Sequence, residues 1–105
     1  MKKIECYIRE TDVNPLINAL DKAGVGGMTV YPVQGFGKQR GKGEGALLPK
    51  MKVEVFVLDM EADQVVNTIL TVTRKGRIGD GKIAVLPVDD VIRVRTGEKG
   101  PKAVF

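Results

Sequence analysis

The chain has 105 residues, 43% of them hydrophobic and 29% charged, with a formal charge of +4; that is enough for one domain with a small core. It contains no His, no Ser and no Trp, and its one cysteine is Cys6. A Ser-His-Asp triad, a Cys-His dyad, most zinc sites and an internal disulfide are therefore excluded, and the positive charge suits an anionic partner. No apolar run approaches the ~20 residues of a membrane span. The opening MKKIECYIRE is too charged for a signal peptide, so the cytoplasm is the expected location.

Residues 3–9 alternate, with Ile4, Cys6 and Ile8 on one face and Lys3, Glu5, Tyr7 and Arg9 on the other, which predicts a half-buried strand. Asp12 is placed to cap a helix, and Pro15 is tolerated in a first turn, where backbone donors lack partners anyway. Val13, Leu16, Ile17, Leu20 and Ala23 follow at helical spacing until Gly24, Gly26 and Gly27 end the helix. Residues 28–33 read as a second strand that runs into the glycine-rich stretch 35–45. Met51, Val53, Val55 and Val57 then alternate with Lys52, Glu54, Phe56 and Leu58. A helix is expected over about 61–74, burying Val65, Val66, Ile69, Leu70 and Val72, with a strand over 83–88.

PKMKVEVFV thus echoes MKKIECYI about half a chain later, each opening a strand–helix–strand unit. Two such units in series predict an α+β fold, a ferredoxin-like β-α-β-β-α-β sandwich forming a single domain over 1–105. Both helices would cover one face of the sheet. The other face would carry Tyr7, Phe56 and Leu58 among its charges, too apolar to be left to water, so another copy of the chain is expected to cover it.

Residues 73–83, TRKGRIGDGKI, concentrate Arg74, Lys75, Arg77 and Lys82 with three glycines in one turn. Successive glycine amides flanked by cations suit a phosphate cradle; a solvated basic loop is the plainer alternative. GRIGDGK matches the front of a Walker A loop, but Ile83 stands where the Mg²⁺-binding hydroxyl belongs. The order is helix–loop–strand, so no helix N-terminus faces a phosphate there, and the Walker A reading fails. Further on, VIRVRT at 91–96 sets Arg93 and Arg95 on one side, two residues apart, as parallel guanidinium forks suited to phosphate; a pair of surface arginines matched with Asp89, Asp90 or Glu98 is the plainer alternative.

These segments resemble a known family. MKKIE at 1–5, GGMTV at 26–30, QGFGKQRG at 34–41, LPKMKVEV at 48–55, GRIGDGKIAVLPV at 76–88 and VIRVRTGE at 91–98 are similar to the PII signal-transduction proteins, trimeric sensors of nitrogen, carbon and energy state. The resemblance implies a homotrimer whose clefts bind ATP or ADP. Gly79, Asp80, Gly81 and Lys82, in a phosphate-binding loop over about 74–82, would hold the phosphates, with Arg93 and Arg95 approaching them. Gly35, Phe36, Gly37, Lys38 and Gln39 would line the base of the family's T-loop, and Thr29 would sit by the adenine. Gln39 would link Mg²⁺ and 2-oxoglutarate when ATP is bound, with Lys50 reaching that acid or another small anion. A C-terminal loop over 96–105 would fold over a neighbouring cleft or fray.

The T-loop, at about 37–50, is shorter than the family pattern, and KQRGKGEGALLP contains no Tyr, Ser or Thr. Covalent regulation there has no hydroxyl to act on. The implied function is a non-catalytic adenine-nucleotide sensor controlling a transporter or enzyme of nitrogen or carbon metabolism. Two other readings compete. A small basic RRM-like RNA-binding domain shares the element order, and GFG at 35–37 resembles part of its motif, but only 5% of the chain is aromatic. An enzyme would have to use Glu44, the loop's one acid, which has no paired base; slow ATP hydrolysis would be incidental.

Overall fold

In the computed structural model, which describes residues 1–38 and 47–105, the chain begins with β1 (Lys2–Ile8) and a one-turn 3-10 helix (Glu10–Asp12). These lead to α1 (Val13–Lys22), β2 (Thr29–Gly35) and β3 (Leu48–Val57). A second one-turn helix (Asp59–Glu61), α2 (Ala62–Thr73), β4 (Lys82–Pro87) and the short α3 (Pro101–Val104) complete it. The strands form one antiparallel sheet in the order β2-β3-β1-β4, the ferredoxin-like arrangement that the two repeated units predict.

The two echoing segments become the central strands. Ile4 lies opposite Val55, Cys6 opposite Val53 and Ile8 opposite Met51, so their apolar faces coincide. A slip of one residue would turn the whole set outward, which fixes the register. These residues form the core with Val57, with Leu16 and Leu20 of α1, and with Ala62, Val65 and Ile69 of α2. Val66 and Val72 pack against its margin, whereas Leu70, one step round the helix from Ile69, stays half-buried.

Helix ends show where local reading works and where it does not. Gly24, at φ +84°, ends α1. Its N–H donates to the Asp21 carbonyl (3.0 Å) and that of Val25 to the Leu20 carbonyl (3.1 Å), the paired bonds of a Schellman motif. Asp12 does occupy the N-cap position of α1, but its side chain makes no capping bond. The preceding 3-10 turn already holds Asp12 in a helical conformation, and its carboxylate is buried instead.

Several boundaries move. β3 begins at Leu48, so Pro49 and Lys50, expected in the shortened T-loop, are strand residues opposite Gln34 and Val33. The connection between β2 and β3 narrows to 36–47, and Gln39 lies outside the described residues. The expected phosphate loop spans 74–81, because Lys82 opens β4. Within the expected C-terminal loop, α3 forms and Val104 is buried. Among the described residues, no helix is long and apolar enough to cross a membrane.

Candidate functional site

The extension of β2 past Gln34 and the loop after α2 converge at one end of the sheet. Between them lies a cleft of about 740 Å³, within the range of small-ligand sites. Gly35, Phe36, Gly37 and Lys38 line one side, and Arg77, Ile78, Gly79, Asp80, Gly81 and Lys82 the other. Lys50, Lys52, Tyr7 and Tyr31 contribute from the open face of the sheet. Nine residues named from the sequence therefore meet here: the 35–38 and 79–82 runs and Lys50. Thr29, on the open face opposite Glu54, is not part of the lining, and neither are Arg93 and Arg95.

The loop at 74–81 is built around Asp80. Its Oδ2 accepts the N–H groups of Lys75 (2.8 Å), Gly76 (2.8 Å) and Arg77 (3.3 Å). Its Oδ1 accepts from the Arg9 guanidinium at 2.8 Å. The Lys75 N–H, the Arg9 guanidinium and the other two N–H groups hold this carboxyl well below the usual carboxylate range, against an opposing desolvation. Asp80 is thus an internal clamp, and the amides at 75–77 that looked available to a phosphate are occupied by the loop's own acid. Gly79 and Gly81, at φ +98° and +104°, keep N–H groups with no acceptor among the described residues.

Two residues from the sheet hold the loop in place. Arg9 also donates to the Ile78 carbonyl (3.3 Å). Lys50 donates to the Gly79 carbonyl (3.0 Å); burial lowers its pKa, the Arg9 charge adds to that, and Asp12 and Asp80 oppose it. Gly81 passes so near β1 that a Cβ there would lie 1.8 Å from the Tyr7 carbonyl oxygen. Arg9 was read from the sequence only as a surface residue of the first strand. The register supplies the missing signal: with Tyr7 opposite Lys82, counting outward along the antiparallel pair brings Arg9 level with Asp80.

Lys38, Lys50, Lys52, Arg77 and Lys82 ring the cleft, and the one acid among its lining residues, Asp80, is balanced by Arg9. That electrostatics favours a compact polyanion. Among the described residues no group of three or more Cys, Asp or Glu side chains is placed to hold a metal ion, and Asp80 is committed to the loop.

The parallel-fork picture of Arg93 and Arg95 does not hold. Ile92 makes only an isolated bridge with Lys99. The Gly97 N–H returns to the Arg93 carbonyl (2.7 Å) and the Arg93 N–H bonds the Glu98 carbonyl (2.9 Å). Gly97, at φ +73°, permits this reversal, so residues 94–96 form a turn rather than strand. The Arg93 side chain points into its own turn, bonding Glu98 Oε1 at 2.7 Å.

The open sheet face also bears on the RNA-binding reading. Base stacking needs bare aromatic rings. Here Tyr7 and Tyr31 flank the Lys52 ammonium at 5.3 and 5.5 Å from their centroids, and the Tyr31 hydroxyl donates to Glu54 (3.2 Å). Lys3 bridges to Glu5 (2.8 Å), and Lys52 approaches the same carboxylate (3.6 Å). The platform is a closed charge network.

A ferredoxin-like sheet with a cation-ringed cleft at one end defines a small domain suited to binding a compact anionic ligand. The family model described as Nitrogen regulatory protein P-II matches residues 1–98. The Nitrogen regulatory protein P-II of Nostoc punctiforme is 46% identical over 112 aligned positions, spanning 99% of this chain and all of the relative. P-II 2 of Methanothermobacter thermautotrophicus is also 46% identical, over 99% of this chain and 97% of that one. Arabidopsis thaliana PII bound to citrate superimposes with a TM-score of 0.86 at 44% identity, over 98% of this chain and 88% of that one. The chain belongs to the P-II family of regulatory signal-transduction proteins.

Proposed function

We propose that the cleft binds ATP or ADP and that its occupancy sets the conformation of the shortened T-loop, which a transporter or enzyme of nitrogen or carbon metabolism then reads. The observation that carries this reading is the convergence of five cations and the unpaired Gly79 and Gly81 N–H groups on one cleft between the T-loop base and the 74–81 loop. Those are donors for a di- or triphosphate. Mg²⁺ would arrive with ATP, since the cleft has no uncommitted carboxylate among the described residues. A relative solved with citrate supports a site for multiply charged anions, and in this reading Lys50, which lines the cleft, is the residue that would contact 2-oxoglutarate or another small anion. The ligand acts by population shift: it matters only through its different affinity for two loop states.

Thr29, Arg93 and Arg95 lie away from the cleft of one subunit, so in this reading they serve the cleft of a neighbour within a homotrimer. Calorimetric titration of ADP and ATP, with and without Mg²⁺ and 2-oxoglutarate, tests the assignment. Lys82→Ala should weaken both nucleotides by about tenfold to a hundredfold, the equivalent of one charged hydrogen bond of ~1.5–3 kcal/mol. Unchanged affinity in a folded variant refutes it.

A further inference from the structure

Arg93, outside the cleft, is heavily engaged. Its Nη1 donates to Glu98 Oε1 at 2.7 Å, and its Nη2 donates to the main-chain oxygen of Lys102 at 2.9 Å and to that of Phe105. Glu98 is itself oriented by the Thr96 hydroxyl (2.9 Å). The Gly100 N–H is held by the Val91 carbonyl (3.0 Å) and by Asp90 Oδ1 (2.9 Å). These bonds fold residues 90–105 into one unit with Arg93 at its centre.

The end of that unit is seated on the body of the domain. Val104 is only 8% exposed. A Cβ on Gly26, in the connection between α1 and β2, would meet Phe105 Cα at 2.7 Å and the Val104 carbonyl oxygen at 3.0 Å. The tail therefore packs directly on a glycine that leaves room for it, and Arg93 bonds two main-chain oxygens of the same tail. While the tail is seated, three of the guanidinium's five N–H donors are engaged, one on Nη1 and both on Nη2.

We infer that residues 98–105 form an autoinhibitory latch: tail docking at Gly26 and phosphate engagement by Arg93 are mutually exclusive states. A phosphate taking both Nη groups of Arg93 must displace Glu98 and the two tail oxygens, which frees α3; a seated tail lowers apparent nucleotide affinity by the fraction of molecules in which those donors are withheld. This rests on the reading that nucleotide phosphates use Arg93.

Two measurements on the full-length protein separate the latch from that reading. Hydrogen–deuterium exchange of residues 102–105 without ligand tests the latch alone: Arg93→Ala should raise exchange there severalfold over the unsubstituted chain, and unchanged protection overturns the latch whatever the nucleotide does. Calorimetry with ADP tests the competition. Val104→Asp, which unseats the tail and leaves Arg93 intact, should tighten ADP severalfold, and Arg93→Ala added to it should abolish the gain. If the unsubstituted protein binds ADP and Val104→Asp leaves the affinity unchanged or weaker, the competition is wrong. If it binds no adenine nucleotide, the nucleotide reading and the competition both fall, and the exchange result alone decides whether the tail contact is a latch on Arg93.

Discussion

Arg9 and Asp80 are 71 residues apart in sequence and 2.8 Å apart in space, and this ion pair joins the end of β1 to the loop that forms one wall of the cleft. Neither side chain makes much sense alone. Asp80 gathers the N–H groups of residues 75–77 on one oxygen and presents the other to Arg9, so the loop is shaped before any ligand arrives.

The pair predicts a pH signature. Because the folded state holds the Asp80 carboxyl below its usual range, the unfolded chain binds that proton more readily. The stabilisation is complete above the ordinary carboxylate pKa of about 4 and declines as pH falls from there through the depressed folded value. Asp80→Asn should lower the urea midpoint at pH 7 and lose less further stability than the parent between about pH 4 and pH 2. Parallel stability–pH curves for the two proteins would show that the carboxylate is not the clamp described.

Gly81 provides a steric test of the same wall. Its φ of +104° strains any side chain, and a Cβ would run into the Tyr7 carbonyl oxygen at 1.8 Å. Backbone strain of this kind costs ~1–3 kcal/mol before the clash is added. Gly81→Ala should therefore destabilise by more than about 2 kcal/mol and weaken ligand binding, whereas Gly37→Ala, with nothing within 4 Å of its Cβ, should not unfold the chain. Equal urea midpoints for Gly81→Ala and the parent would contradict the close approach.

Most of the fold was legible because period-2 and helical spacing both reported the same buried set: Ile4, Cys6 and Ile8 against Val53, Val55 and Val57, covered by Leu16, Leu20, Val65 and Ile69. The 79–82 run drew attention through glycines and cations clustered at an element end, the 35–38 run only through the family resemblance, and both line the cleft. What stayed hidden depended on contacts between distant residues. Nothing local distinguishes Asp80 the ligand-facing acid from Asp80 the clamp until β1 is placed beside β4. Arg93 and Arg95 misled for the opposite reason: alternation implies a strand only if the backbone stays extended, and Gly97 with the Ile92–Lys99 bridge folds it into a turn.

Lys50 ties β3 to the 74–81 loop across the cleft through the Gly79 carbonyl. Lys50→Met keeps much of the apolar stem but removes that donor, leaving the carbonyl to water or unsatisfied at a cost of ~1–3 kcal/mol. Faster amide exchange at residues 78–81 and weaker binding of small dicarboxylates should appear together. Loss of dicarboxylate binding with exchange unchanged would instead make Lys50 a ligand contact alone, without a role in holding the loop.

The open sheet face makes the last prediction. Tyr7 is 37% and Phe56 42% exposed, and Phe56 and Leu86 flank Lys3 in one cross-strand row, giving apolar ground beside the Lys3–Glu5–Lys52 network. Burying such a face against copies of itself removes apolar area from water, at roughly 25 cal/mol per Å², while the central charges are already paired within each subunit and need little from a neighbour. The protein should sediment as a trimer, and Phe56→Asp should shift it toward monomer by placing an unpaired charge in the contact. Ligand affinity should fall with it, because the role proposed above for Thr29, Arg93 and Arg95 needs a neighbouring subunit across that contact. A monomeric parent protein that still binds nucleotide with full affinity would break the link between assembly and site.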